Sequence, residues 1–112
     1  MKTRQDLIVA TLYLLNAIAA GQNPEAEDVD AIDAIIDGKL DELSIREVAF
    51  FPDKDQFEDF YIDPLAIILA NTAAPGFGQP RNPDSVAMAE ATLQAFKPST
   101  YVPGSTMDTS YF

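Results

Sequence analysis

The sequence predicts an all-α protein, a small bundle of four to five helices with an extended C-terminal tail. Three observations predict it. Apolar residues recur at helical spacing in four separate stretches. Two of those stretches open on an Asn-Pro pair, the combination of a capping side chain and a proline suited to the first helical turn. Proline and glycine gather between the stretches and again after residue 97. At 112 residues the chain is most simply one domain, long enough to bury roughly two-thirds of its unfolded surface. Residues 1–97 are expected to form the helical domain and residues 98–112 an extended arm.

The first helix opens at Thr3, a natural cap, with Asp6 three residues on in a capping-box arrangement. Leu7, Ala10, Leu14, Ala17 and Ile18 line one face, and Leu12, Leu15 and Ala19 widen it. So broad an apolar surface predicts a central helix or a face kept for another subunit, with Leu12, Leu15 and Ala19 as that inter-subunit face. Gly21 is the expected stop.

Asn23 then caps a second helix whose first residue is Pro24. Val29, Ile32, Ile36, Leu40 and Leu43 step by three or four residues, and the positions between are mostly acidic: Asp28, Asp30, Asp33, Asp37 and Asp41. The stretch SIREVAFF, residues 44–51, reads as a short strand or an extended link, and Pro52-Asp53 turns the chain. Phe57, Phe60, Tyr61, Leu65, Ile68, Leu69 and Thr72 follow helical spacing, but Pro64 falls inside the series. The expected outcome is a fresh start at Asp63-Pro64, giving a helix over residues 64–73 that Pro75, Gly76 and Gly78 end. Asn82-Pro83 opens the last helix, with Val86, Ala89, Leu93 and Phe96 on its apolar side up to Lys97.

The chain has no cysteine and no histidine, which excludes disulfides, thiol nucleophiles and the usual zinc ligands and removes the commonest general base. Its net charge of −11 is concentrated in residues 22–63, where fourteen acids stand against Lys39, Arg46 and Lys54. A surface of that sign repels phosphate backbones, so tight nucleic-acid binding is not expected. Nor does the start, MKTRQDLIV, read as a signal peptide or a membrane span.

Candidate chemical motifs dissolve on inspection. DVDAIDAIIDG places acids at the first and third positions of a calcium loop, but Ile32 takes the fifth and Asp33 the place of the needed glycine. PGFGQP has no strand before it, and its prolines remove donors a phosphate cradle would use. The acids Asp53, Asp55, Glu58, Asp59 and Asp63 read as a solvated edge around a turn. Ser44 is preceded by Leu43 and followed by a segment running into Phe50-Phe51-Pro52, unlike the cofactor-bearing serine of acyl carrier proteins, which opens a helix. No catalytic set, metal site or cofactor is expected.

Four pieces taken in order resemble the head-to-tail adaptor family of tailed phages, in particular the tail accessory factors, or packaged-DNA stabilisation proteins, of short-tailed phages. They are Lys2-Thr3 with Asp6-Leu7 opening a helix, the acidic helix EDVDAIDAIIDGKLDEL, the run PLAIILANTAAPGFG, and the Ala- and Glu-rich AMAEATLQAF before the tail. The resemblance implies a structural virion protein at the head-tail junction, made in the host cytoplasm. About twelve copies would form a homo-oligomeric ring beneath the portal protein. The ring would prolong the channel through which double-stranded DNA passes without specific binding, and would join further tail proteins. On this reading Asp28, Asp30, Asp33 and Asp37 form an acidic channel or surface face. Tyr101, Val102, Met107, Tyr111 and Phe112 make the tail an arm that docks on the portal or a neighbour. The competing expectation is a small acidic interaction module or DNA mimic with a basic partner.

Overall fold

The computed structural model describes residues 1–18 and 22–96. Among them are four α-helices: α1 (Arg4–Leu14), α2 (Ala26–Ile45), α3 (Asp59–Ala73) and α4 (Pro83–Ala95). A 3₁₀ turn, Ala74–Phe77, extends α3, and a two-stranded antiparallel sheet joins β1 (Lys2–Thr3) to β2 (Gln56–Phe57). The all-helical expectation holds. The sheet was not expected, since two-residue strands leave no periodic signal. The proposed arm, residues 98–112, lies outside the described residues, as do Ala19 and Gly21.

Helix α3 is the centre of the bundle and packs against α1, α2 and α4. Its composition explains why: Ile62, Pro64, Leu65, Ala66, Ile68, Leu69 and Ala70 are all buried, so most of its circumference is apolar. Pro64 does not restart the helix. It sits in the sixth position of a continuous α3, contrary to the expected start at Asp63-Pro64. Its ring forfeits one backbone hydrogen bond near the N-terminal end, and the helix is held across that gap by the burial of both its flanks. The spacing of Phe60, Tyr61 and Leu65 was therefore the truer signal, and Pro64 the weaker one.

The boundaries of α1 and α2 also depart from expectation. The capping box at α1 is present in full: Asp6 N–H donates to the Thr3 hydroxyl, and Thr3 N–H donates to the Asp6 carboxylate at 2.9 Å. But α1 ends at Leu14, seven residues before Gly21. There Asn16 takes the left-handed conformation (φ 58°), its N–H donates to the Tyr13 carbonyl, and Ala17 N–H donates to the Leu12 carbonyl. These two bonds are a Schellman closure with asparagine where glycine is commoner. Because the helix stops there, Ala17 and Ile18 do not continue the helical phase. The buried stripe runs instead through Leu7, Ile8, Thr11 and Leu12 to Leu15, leaving Leu14 about half exposed. Thr11 is accommodated by donating its hydroxyl to the Leu7 carbonyl at 2.9 Å.

Helix α2 begins at Ala26 with Glu25 as its cap residue, so Asn23 and Pro24 precede the helix and do not open it. It buries Ile32, Ile36, Leu40 and Leu43 as the spacing predicts. Its end repeats the closure of α1. Glu47 is left-handed (φ 58°), with Glu47 N–H on the Ser44 carbonyl and Val48 N–H on the Leu43 carbonyl. The chain then runs irregularly through buried Val48, Ala49 and Phe51, so residues 44–51 supply helix end and link but no strand. Helix α4 starts as expected: Asn82 accepts from Ser85 N–H at 3.2 Å, and Pro83 is the first helical residue. It buries only Ala89 and Leu93.

Candidate interaction surfaces

The acidic face of α2 is partly neutralised from within. Arg4, in the first turn of α1, reaches across to α2 with its whole guanidinium. Its Nε lies 2.6 Å from Asp33 Oδ1 and one terminal nitrogen 2.8 Å from Asp37 Oδ1, while the other donates to the Asp33 carbonyl at 3.1 Å. A longer bond of 3.3 Å goes to the Lys54 carbonyl, and Arg4 N–H donates to the Asp55 carbonyl. Lys54 in turn binds Asp41 at 2.8 Å. Hydrogen bonding from Arg4 holds the Asp37 carboxyl below the usual carboxylate range, and Asp41 raises Lys54. Of the four acids expected to form a channel or surface face, Asp33 and Asp37 are thus tied to α1. Asp28 and Asp30 make no ion pair among the described residues. A second cross-link joins α2 to α4, where Arg46 grips both oxygens of Glu90 at 2.9 and 2.7 Å.

The face assigned to subunit contacts is corrected by burial. Leu12 is fully buried and Leu15 nearly so, both inside the core of this one chain. The exposed large apolar side chains are others. Tyr13, Leu14 and Met88 are 53%, 48% and 72% exposed. Leu14, from α1, and Met88, from α4, line two adjoining hollows above α3 that share Ile67 and Ser85. The hollow beside Met88 has a volume of about 290 Å³ and is bounded by Pro64, Ile67, Ala89 and the stem of Thr92.

A different apolar surface lies where α3 begins and α4 ends. Phe51, Phe57, Tyr61, Phe60 and Phe96 form a connected set of rings leading from the core to solvent. Phe57 is buried against Phe51 edge-on at 5.8 Å, and Phe51 meets Tyr61 at 5.0 Å. Tyr61 touches Phe60 at 4.7 Å, and Phe96 closes on Phe60 at 4.9 Å. Phe60 nonetheless remains half exposed and Phe96 more than a third. Sequence periodicity placed Phe60 and Phe96 on buried faces; nothing in it separated a fully buried ring from one at the margin. The signal that marks them is positional, since both stand at helix ends, where fewer neighbours are available to cover them.

Among the described residues no group of three acids is arranged to hold a metal ion, and no helix is long and apolar enough to cross a membrane. No protein-family model, no curated protein and no solved structure matches the chain.

Proposed function

We propose that this protein is a head-to-tail adaptor of a tailed phage, a virion subunit that assembles as a ring on the portal, lengthens the DNA channel and receives tail components. The observation that carries the reading is the presence of two unlike apolar surfaces on one small bundle. One is the pair of adjoining hollows above α3, lined by Leu14 and by Met88; the other is the ring cluster at Phe60 and Phe96. A ring is built by head-to-tail contacts, in which one patch on each subunit meets a different patch on the next. The ordered resemblance of residues 2–97 to the adaptor family supplies the identity of the partner. Asp28 and Asp30, free of ion pairs among the described residues, are the acids best suited to face DNA that must slide without sticking. The DNA-mimic alternative fits less well, because Arg4 and Lys54 already occupy Asp33, Asp37 and Asp41.

The test is assembly on portal rings. Purified full-length chain mixed with portal should pass from a small species to a ring seen by electron microscopy, and Met88→Asp or Leu14→Asp should abolish the ring without unfolding the subunit. A chain that stays unassembled with portal present, or assembles equally well with both substitutions, would refute the reading.

A further inference from the structure

A further cleft, of about 440 Å³, lies between the outer face of α1 and the start of α3. The wholly or partly buried Val9, Ala10 and Ile62 line it, and the more exposed Tyr13, Asp59 and Asp63 stand at its edge. Asp59 has one loose ionic contact, with the Met1 amino group at 3.7 Å, and Asp63 has none among the described residues. Hydrocarbon lining, an aromatic ring and two carboxylates together suit a long cationic side chain, its stem on the apolar surface and its head against the acids and the ring.

In a chain of net charge −11, few cations are left to supply such a group. Arg4, Lys39, Arg46 and Lys54 are each held by carboxylates of their own chain at 2.6–3.1 Å. Of the other cationic side chains among the described residues, Lys2 lies at the cleft itself, which leaves Arg81. Arg81 is exposed yet fixed in place. Its guanidinium donates to the Thr72 carbonyl at 3.3 Å, and the N–H of the next residue, Asn82, donates to the Asn71 side chain. Glu27 and Asp28 share a neighbouring cleft with Arg81, but neither comes within ion-pair distance. From Asp59 to Thr72 the helix rises about 20 Å, so no chain can place its own Arg81 in its own cleft.

We propose, resting on the ring reading, that Arg81 of each subunit seats in the α1–α3 cleft of the next, with its stem on Val9 and Ile62 and its guanidinium against Asp59, Asp63 and the Tyr13 ring. Cleft and arginine stand at opposite ends of α3, so the contact is head-to-tail, the kind that closes into a ring. It runs in the same direction as the apolar contact. Pro80 and Asn82, on either side of Arg81, line the Leu14 hollow, and Asp59 adjoins Phe60 of the ring cluster. Copies of like net charge repel one another; this pairing relieves the repulsion at one point and thereby favours one register.

Charge exchange between subunits is the test. With portal present, Arg81→Glu and Asp63→Arg should each raise the protein concentration needed for half-maximal ring formation about tenfold or more, while urea unfolding shows both still folded. An equimolar mixture of the two, or the double variant, should bring it back to within about threefold of wild type, because every junction can then pair opposite charges. A role of Arg81 confined to the end of α3 in its own chain could not be repaired by a second molecule. Single variants that assemble like wild type, or a mixture that stays unassembled, overturn the proposal. The chain has no cysteine, which allows a second arm without portal. Concentrated Arg81→Cys mixed with Asp63→Cys under oxidation should give far more disulfide-linked dimer than either variant alone, and equal yields overturn the contact. A wild-type chain that forms no ring on portal refutes the adaptor reading, and the cysteine pair still decides whether two copies meet at this cleft.

Discussion

Replacing Arg4 should loosen the packing of α1 on α2 more than any other single change of charge. The Arg4 side chain is about four-fifths shielded, and its guanidinium makes four hydrogen bonds, two to carboxylates and two to carbonyls. Charge-assisted bonds in a dry site contribute about 1.5–3 kcal/mol each. Here the partner carboxylates of Asp33 and Asp37 are 50% and 63% exposed, which pulls their contribution down toward that of surface pairs. Adding the weaker carbonyl bonds, Arg4→Ala is expected to lose about 2 kcal/mol. For a domain near 100 residues that corresponds to a fall of roughly 10 °C in Tm. Arg4→Lys should recover only part of it, because an ammonium group cannot span Asp33, Asp37 and the carbonyls together. Urea unfolding at neutral pH and low salt gives the measurement. The pH dependence follows from the sign of the Asp37 shift. Its pKa is lower in the folded state, so its contribution is present above the unfolded carboxylate value near 4 and disappears as pH falls through the folded value. The gap between wild type and Arg4→Ala should therefore narrow only below about pH 4. An Arg4→Ala protein as stable as wild type, or a gap that closes between pH 7 and 5, would show that the cross-link holds nothing in place.

Glu47→Gly should raise stability by about 1 kcal/mol in thermal or urea unfolding, since a glutamate held left-handed at the end of α2 carries a strain that glycine lacks. Loss of stability there would mean that the side chain contributes more than the strain costs. Asn82→Ala should lose about 1 kcal/mol by removing the cap of α4, with amide exchange at Ser85 accelerated first; unchanged exchange would count against the cap. Leu65→Ala, at a fully buried position on α3, should cost 2–5 kcal/mol, whereas Met88→Ala on the exposed side of α4 should stay within about 0.5 kcal/mol of wild type.

The parts of the fold that were legible in the sequence are those governed by local rules. The Thr3–Asp6 box, the Asn82-Pro83 start, the three- and four-residue stepping of α2 and the Gly78 stop each follow from a few neighbouring residues, and each is present. What was not legible depended on partners distant in sequence. Pro64 is tolerated because α1, α2 and α4 all surround α3. Gly21 seemed the natural stop for α1, yet Asn16 and the burial of Leu15 end it earlier. Arg4 looked like a stray base in an acidic protein; only the approach of α1 to α2 gives it Asp33 and Asp37. The exposed apolar set shifted for the same reason. Leu12 and Leu15 are equivalent to Leu14 by composition, and only the rotation of α1 on α3 decides which of them faces solvent.

The two-residue ladder between β1 and β2 has a consequence for the order in which the molecule can form. Lys2 pairs with Phe57, so the segment that leads into α1 finds its partner only after all of α1 and α2 have followed. Arg4 meets the same condition at Lys54 and Asp55. Closing a loop of that length carries an entropic penalty that grows slowly with its size, but it must be met before the contacts return anything. With α3, the common partner of the other three helices, lying later still, α1 and α2 have no complete surface to settle on as they leave the ribosome. The subunit should therefore fold late and in one step, once residue 73 is free, and nascent chains ending before that point should remain sensitive to protease throughout.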